Sequence, residues 1–350
     1  MNLMARDKVW SMPDRTSRTD ASGRDTGIDT MRGMAILMVI GIHSLQQPLN
    51  SWAVPVDAAL RPCVPIFLFA SGYLTARTKR VALAKRLRAA LIPYAIAFVA
   101  AYIYMALHNP AMDHRVVTTV ARFVLAYAFV YYYVFVYVGC TLGLWLMFSV
   151  TSPDQPRSGA RLVVLLLLSI ALGLIVGSYL DPLLSRLGFA DSTVEEVRMR
   201  DIPFWFSFMA LGTLVGLSGS NSSLPELRGL MSGATLFAFI IYAAVRLFGI
   251  GDAADYDSVA FFGYAALLCL SLLVLDIRSP RLAALGSGSY FIYLWHIFIV
   301  MILRDHAALH RFGPVACFAI TFAATALGSL VALLAIRATA PPRIIRWLGA

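Results

Sequence analysis

The sequence predicts an all-α fold: a polytopic integral membrane helical bundle of about ten transmembrane helices, with both termini in the cytoplasm. Three observations predict it. Of 350 residues, 59% are hydrophobic and only 14% are charged, with a mean hydropathy of +0.75. No soluble domain of this size needs so much apolar surface. The apolar residues gather in runs of about 20, the length that crosses a hydrocarbon core of roughly 30 Å. They do not alternate with polar residues, as the strands of a transmembrane barrel would. Finally, the Lys and Arg residues crowd the loops on one side. Arg77, Lys79, Arg80, Lys85, Arg86 and Arg88 form the largest group. The positive-inside rule places that side, and with it both termini, in the cytoplasm.

The apolar runs lie at about 33–52, 57–76, 89–107, 126–149, 162–180, 202–219, 229–248, 257–275, 288–305 and 314–337. Residues 1–27 are polar, rich in Arg, Asp, Ser and Thr, and read as a disordered cytoplasmic tail. They lack the apolar core and small-residue cleavage site of a signal peptide. Residues 28–340 read as one transmembrane domain, and 341–350 as a short cytoplasmic tail. There is no internal repeat. The net charge of +10 reflects membrane topology, so no nucleic-acid partner is expected. Cys63, Cys140, Cys269 and Cys317 fall in or beside apolar runs without a CxxC pair. They read as small hydrophobes, with neither a disulfide nor a metal site.

Within the first run, Arg32 and His43 stand out. An ionisable side chain inside a membrane helix is expensive to hold there, so its default reading is functional. Eleven residues are close to three helical turns, so both side chains leave the helix on about the same face. At a rise of about 1.5 Å per residue, His43 lies roughly 16 Å deeper than Arg32. With Arg32 at the cytoplasmic edge, His43 is expected near mid-membrane. A general base suits the inner position, and an anchor for an anionic phosphate suits the outer one. The alternative is a histidine bonded to a neighbouring helix and an arginine that merely snorkels.

Three further stretches carry polar groups. In Val64–Leu74, Pro65 and the Ser71-Gly72 pair permit close approach of another helix or a ligand. Lys85, Arg86 and Arg88, followed by Pro93 and Tyr94, suit either anionic lipid or the phosphates of a cytosolic nucleotide. From Gly286, small residues open a run that lays Tyr290, Tyr293 and His296 along one helical stripe. His296 reads as a second functional group or as a buried, satisfied histidine. No Asp or Glu is expected deep in any span, which argues against a carboxylate proton relay. On the outer side, His108, Asp113, His114, Arg115, Glu195, Glu196, Arg198, Arg200 and Asp201 fall in loops. Trp52, Tyr102 and Trp205 near that face suit either sugar stacking or the interfacial aromatic belt.

Taken together, these blocks resemble the membrane-bound acyltransferase-3 family, the bacterial O-acyltransferases of sugars and exopolysaccharides. Asp29-x-x-Arg32-Gly with His43 resembles its arginine–histidine signature. Cys63–Leu74, with Lys85-Arg86-Leu-Arg88 and Ile92-Pro93-Tyr94, resembles its second block. Ser289–His296 resembles its late tyrosine–leucine–histidine block. The resemblance covers nearly the whole chain and makes 28–340 an acyltransferase domain in a bacterial cytoplasmic (inner) membrane. It implies acyl-CoA, most often acetyl-CoA, as donor, and a hydroxyl of a cell-surface or lipid-linked glycan as acceptor. No metal is implied, and a homo-oligomer is left open. His43 is then the catalytic residue, as general base or as a transient acyl carrier. Arg32, Lys85, Arg86 and Arg88 are expected at the donor, together with Ser71, Tyr290 and Tyr293. The rivals are a transporter or flippase of a lipid-linked or acylated compound, and a sensor or assembly subunit.

Overall fold

The computed structural model describes residues 25–109, 111–127, 130–151, 156–219, 225–250 and 256–350. Residues 1–24, most of the expected N-terminal tail, lie outside the described residues. Among the described residues the α-helices are α1 (Thr26–Ser44), α2 (Ala53–Leu60), α3 (Cys63–Thr78), α4 (Leu83–His108) and α5 (Val116–Val124). They continue with α6 (Tyr132–Thr151), α7 (Pro156–Arg186), α8 (Asp191–Met199), α9 (Ile202–Ser218) and α10 (Arg228–Phe248). The last are α11 (Val259–Leu275), α12 (Pro280–Ser287), α13 (Ser289–His306), α14 (Pro314–Thr339) and α15 (Pro342–Leu348). The protein is an all-α membrane bundle. Each of the ten apolar runs falls largely on a helix or helix pair. Seven of these are long and apolar enough to cross a membrane, and the bent pair α12–α13 makes an eighth if it is one span. The two others are α11, with 17 residues, and α1, which carries Asp29, Arg32 and His43.

Local chemistry explains where the helices start and break. Asp25 caps α1, its side chain accepting from Gly27 N at 3.1 Å and Ile28 N at 3.2 Å. Such a cap satisfies N–H groups that have no partner in the first turn. The helix therefore begins well before the apolar run. Arg32 lies almost two turns inside it rather than at its mouth, and His43 lies in its last turn. The second apolar run is broken into α2 and α3 at Arg61-Pro62, where proline cannot continue the hydrogen-bond ladder. This break keeps Arg61 against Asp57 at 2.8 Å. Asp57 is fully buried and also pairs with Arg246 of α10 at 2.6 Å. A buried carboxylate between two guanidinium groups was not expected from a sequence whose spans seemed free of deep acids.

The α12–α13 pair is bent by 79° at Gly288. Ser279 caps α12, and Pro280 sits at its first position, where a missing N–H costs nothing. α12 then lies flat against α1. The two backbones meet at two glycines: a Cβ on Gly33 would overlap the Leu282 carbonyl, and one on Gly286 would overlap the Asp29 carbonyl. Gly286→Ala is expected to wedge α1 and α12 apart at an over-packing cost of about 1–3 kcal/mol. A thermal-unfolding midpoint equal to that of the wild type would show that the contact gives way freely. Gly72 plays the same part between α3 and α9, where it faces the Met209 carbonyl.

Candidate active site

α1 runs from one end of the bundle to the other, and each end of it borders a cavity. The cavity at the start of α1, called inner for the side on which the sequence places the termini, lies where α1, α4 and α13 begin. It has a volume of about 320 Å³, and its lining includes Arg32, Ser71, Arg86, Tyr133, Tyr137 and Tyr290. The outer cavity lies where α1 and α13 end. It is larger, about 770 Å³, and His43 lies on its wall.

In the inner cavity two cations face a tyrosine-lined space. Arg32 Nη1 lies 3.4 Å from Asp29, and its Nη2 donates to Ser289 Oγ at 3.1 Å. Arg86 Nη2 donates to Thr75 Oγ1 at 2.6 Å, while its Nη1 is buried with no hydrogen-bond partner among the described residues. A buried donor without an acceptor costs about 1–3 kcal/mol and marks a place where an anion would be welcome. Pro93, inside α4, removes the backbone donor that would normally meet the Ala89 carbonyl, and Ala89 lines this cavity. Tyr290 Oη closes the wall by donating to the Ala90 carbonyl at 2.6 Å.

His43 has a different setting. Among the described residues no hydrogen bond to its ring is found, so both nitrogens remain available. Its ring packs on that of His296, 5.4 Å between centroids and tilted by 39°. His296 is fully buried. Its Nδ1 lies 2.8 Å from the Tyr293 carbonyl and 3.0 Å from that of Ile292. Both are acceptors, so Nδ1 carries the proton and Nε2 is left with a lone pair. That Nε2 has no hydrogen-bond partner among the described residues.

The two cavities share no lining residue. Between them runs a file of rings: Tyr290 stacks near Tyr293 at 6.3 Å, Tyr293 lies 6.3 Å from His296, and His296 touches His43. Tyr133 braces the file edge-on at 5.4 Å from Tyr293. Tyr293 Oη donates to the Val130 carbonyl at 2.6 Å.

The structure thus brings together Arg32, Ser71, Arg86 and Tyr290 in one cavity, and His43 with His296 beside the other. Tyr293 lies in the wall between them. Lys85 and Arg88 are exposed and line neither cavity, because they project from other faces of α4 than Arg86. His43 is at the end of a helix and open to a large cavity, not at the middle of a span. Of the outer loop residues, His108, Glu196 and Arg200 line its cavity. Asp113 instead binds Arg115 and Thr118, and the Arg115 guanidinium holds its carboxyl well below the usual carboxylate range. Trp205 is fully buried and donates to the Met199 carbonyl, which removes it from any sugar surface. The four cysteines are buried and free.

The model of the Acyltransferase domain family, acyltransferase-3, matches residues 25–334. The chain belongs to that family. Comparison with curated proteins and with solved structures gave no significant match. The match begins at the cap of α1 and ends within α14, so both cavities of this membrane acyltransferase lie inside it. Several residues that line the two cavities or hold their arginines were not singled out one by one in the sequence. Thr75 and Ser289 are ordinary hydroxyls whose partners become visible only in the folded bundle. Asp57, Arg61 and Arg304 stood near span ends, where charges are common. For Asp57 and Arg61 the spacing of four residues, i to i+4 on a helix, was the available signal.

Proposed function

We propose that this acyltransferase moves an acyl group, in the simplest case acetyl, from cytosolic acyl-CoA to a hydroxyl of a cell-surface or lipid-linked glycan. In this reading it works in a bacterial cytoplasmic membrane with the inner cavity facing the cytosol. What supports it above all is the file Tyr290–Tyr293–His296–His43, which links an anion-ready cavity to an imidazole in a second cavity on the opposite side. Arg32 and the unpartnered Nη1 of Arg86 would take phosphate oxygens of the donor, since a guanidinium matches phosphate with two parallel hydrogen bonds. The pantetheine arm would follow the tyrosines, with Ser71 at its side. Because the wall is closed, Tyr293 and Tyr133 must shift for the thioester to meet His43.

At the meeting point, His43 takes the proton of the acceptor hydroxyl as its oxygen attacks the thioester carbonyl. The C–S bond then breaks, and the imidazolium returns the proton to the departing thiolate. Alternatively, the His43 nitrogen attacks first, the thiolate leaves with a proton, and the acyl-imidazole passes the acyl group to the hydroxyl. Both routes use the same residue and release free coenzyme A and the ester.

The deciding experiment is consumption of radiolabelled acetyl-CoA by the protein purified into nanodiscs. Loss of the thioester is the expected result. Binding without thioester cleavage would favour a carrier, and absence of binding would overturn the donor assignment. In the same assay Arg86→Ala is expected to raise the half-saturating acetyl-CoA concentration about 10-fold or more, as loss of a charge-assisted contact of about 1.5–3 kcal/mol implies. An effect on turnover alone, at unchanged half-saturation, would count against a phosphate-binding role.

A further inference from the structure

Four guanidinium groups line the outer cavity, those of Arg61, Arg122, Arg200 and Arg304, against two carboxylates, Glu196 and Asp305. Their pairing is uneven. Glu196 is engaged by Arg200, which also donates to the Leu125 carbonyl at 2.7 Å. Arg61 is held by Asp57. Asp305 accepts from Tyr104 Oη at 2.7 Å. Arg122 and Arg304 have no such partner among the described residues. Arg122 Nη1 donates to the Asp113 carbonyl at 2.7 Å. Arg304 Nη2 donates to the carbonyls of His43 at 2.7 Å and Leu45 at 3.0 Å.

A guanidinium carries five N–H donors, so each of these two keeps several for a ligand. With four guanidinium groups against two carboxylates, the cavity wall carries excess positive charge, which attracts an anion and raises its local concentration. The planar fork of arginine favours a carboxylate or a phosphate. Arg304 also grips the backbone of His43 itself. An anion resting on it therefore sits next to the residue that faces the reacting hydroxyl.

We propose that the acceptor is an acidic hydroxyl compound, a sugar bearing a carboxylate or a phosphate. Arg122 and Arg304 seat the anion, while His43 meets the hydroxyl to be acylated. This assignment rests on taking the outer cavity as the acceptor side of the acyltransferase. Within one membrane enzyme, then, both substrates are anions, and each has its own pair of arginines. The donor pair faces one end of α1 and the acceptor pair the other. A neutral sugar would leave two cations in the cavity wall with no ion-pair partner among the described residues.

The test uses the full chain in nanodiscs of zwitterionic phosphatidylcholine, at constant ionic strength, with saturating coenzyme A occupying the inner cavity. Binding is read by thermal shift with three probes: methyl glucuronoside, glucose 1-phosphate and methyl glucoside. At least one charged probe is expected to bind about 10-fold or more tightly than methyl glucoside, as a charge-assisted contact implies. Whichever charged probe binds better tells carboxylate from phosphate. Arg122→Gln and Arg304→Gln are each expected to weaken the charged probe about 10-fold and to leave methyl glucoside unchanged. Arg304→Gln removes bonds that hold the end of α1, so a second readout protects against misfolding. In the wild type, added salt should weaken the charged probe and not the neutral one. Equal affinity for all three probes, a charge preference that survives both substitutions, or binding of neither charged probe would overturn the proposal. Anion binding is read without turnover. A protein that binds the acidic sugar but never consumes acetyl-CoA would sink the transfer reading and leave the anion seat in place.

Discussion

His43→Ala is expected to abolish acyl transfer while leaving the protein folded in the membrane. A positioned general base contributes about 10²–10⁴-fold to a rate, and a covalent carrier contributes at least as much because no route bypasses it. The fold should tolerate the change. The ring makes no hydrogen bond among the described residues and faces a cavity, so its removal enlarges a space that already exists. The measurement is labelled acetyl-CoA consumption at saturating donor, beside a thermal midpoint for each protein. A midpoint near that of the wild type with turnover near background is the expected pair of results. Wild-type-like turnover would end the case for His43. A His43→Gln variant refines the outcome, since it keeps a polar group at that place but can neither take the proton nor carry the acyl group.

Asp57→Ala is expected to be the most damaging single change to stability. Asp57 is fully buried and holds Arg61 at 2.8 Å and Arg246 at 2.6 Å. Removing one partner from a buried ion cluster leaves charge without compensation and costs about 3–5 kcal/mol. Here two guanidinium groups lose the same carboxylate. Arg61 would keep its position over the Tyr256 ring, 4.7 Å from the centroid, which offsets a fraction of the loss. The expected result is a strongly lowered thermal midpoint and a poor yield of folded protein. Because Arg61 lines the outer cavity, whatever folds should also show altered acceptor affinity. An unchanged midpoint would mean that the cluster is neutral in energy and that its role is confined to shaping the cavity.

Much of this was legible in the chain. The helical class follows from the length of the apolar runs, and each run lies on a helix. Arg32 and His43 were conspicuous because few ionisable groups interrupt the runs, and the three-turn spacing between them places each beside one of the two cavities. Other features could not be read from local pattern. The cap at Asp25 moves the start of α1 back, which turns an arginine expected at the membrane edge into one that lines a cavity. The break at Pro62 was hidden inside one apolar run, and with it the burial of Asp57. Among Lys85, Arg86 and Arg88 the sequence offered three equal cations. Only the direction of each side chain around α4 separates Arg86 from its neighbours. The short helices α5 and α8 were missed because neither is long or apolar enough to register as a span, yet Arg122 and Glu196 on them border the outer cavity.

The closed wall of rings has one more consequence. In the proposed orientation this enzyme opens toward both sides of an energised membrane, and a continuous wet path would be a leak. Protons and ions would run down the potential across it, about 2.3 kcal/mol per charge at 100 mV. In that orientation Tyr133, Tyr293 and His296, all buried, would act as insulation between the two cavities. Exchange of a small acyl group through such a seal would let the cell modify a molecule on one side with carbon drawn from the other, without short-circuiting the gradient that powers the rest of the membrane.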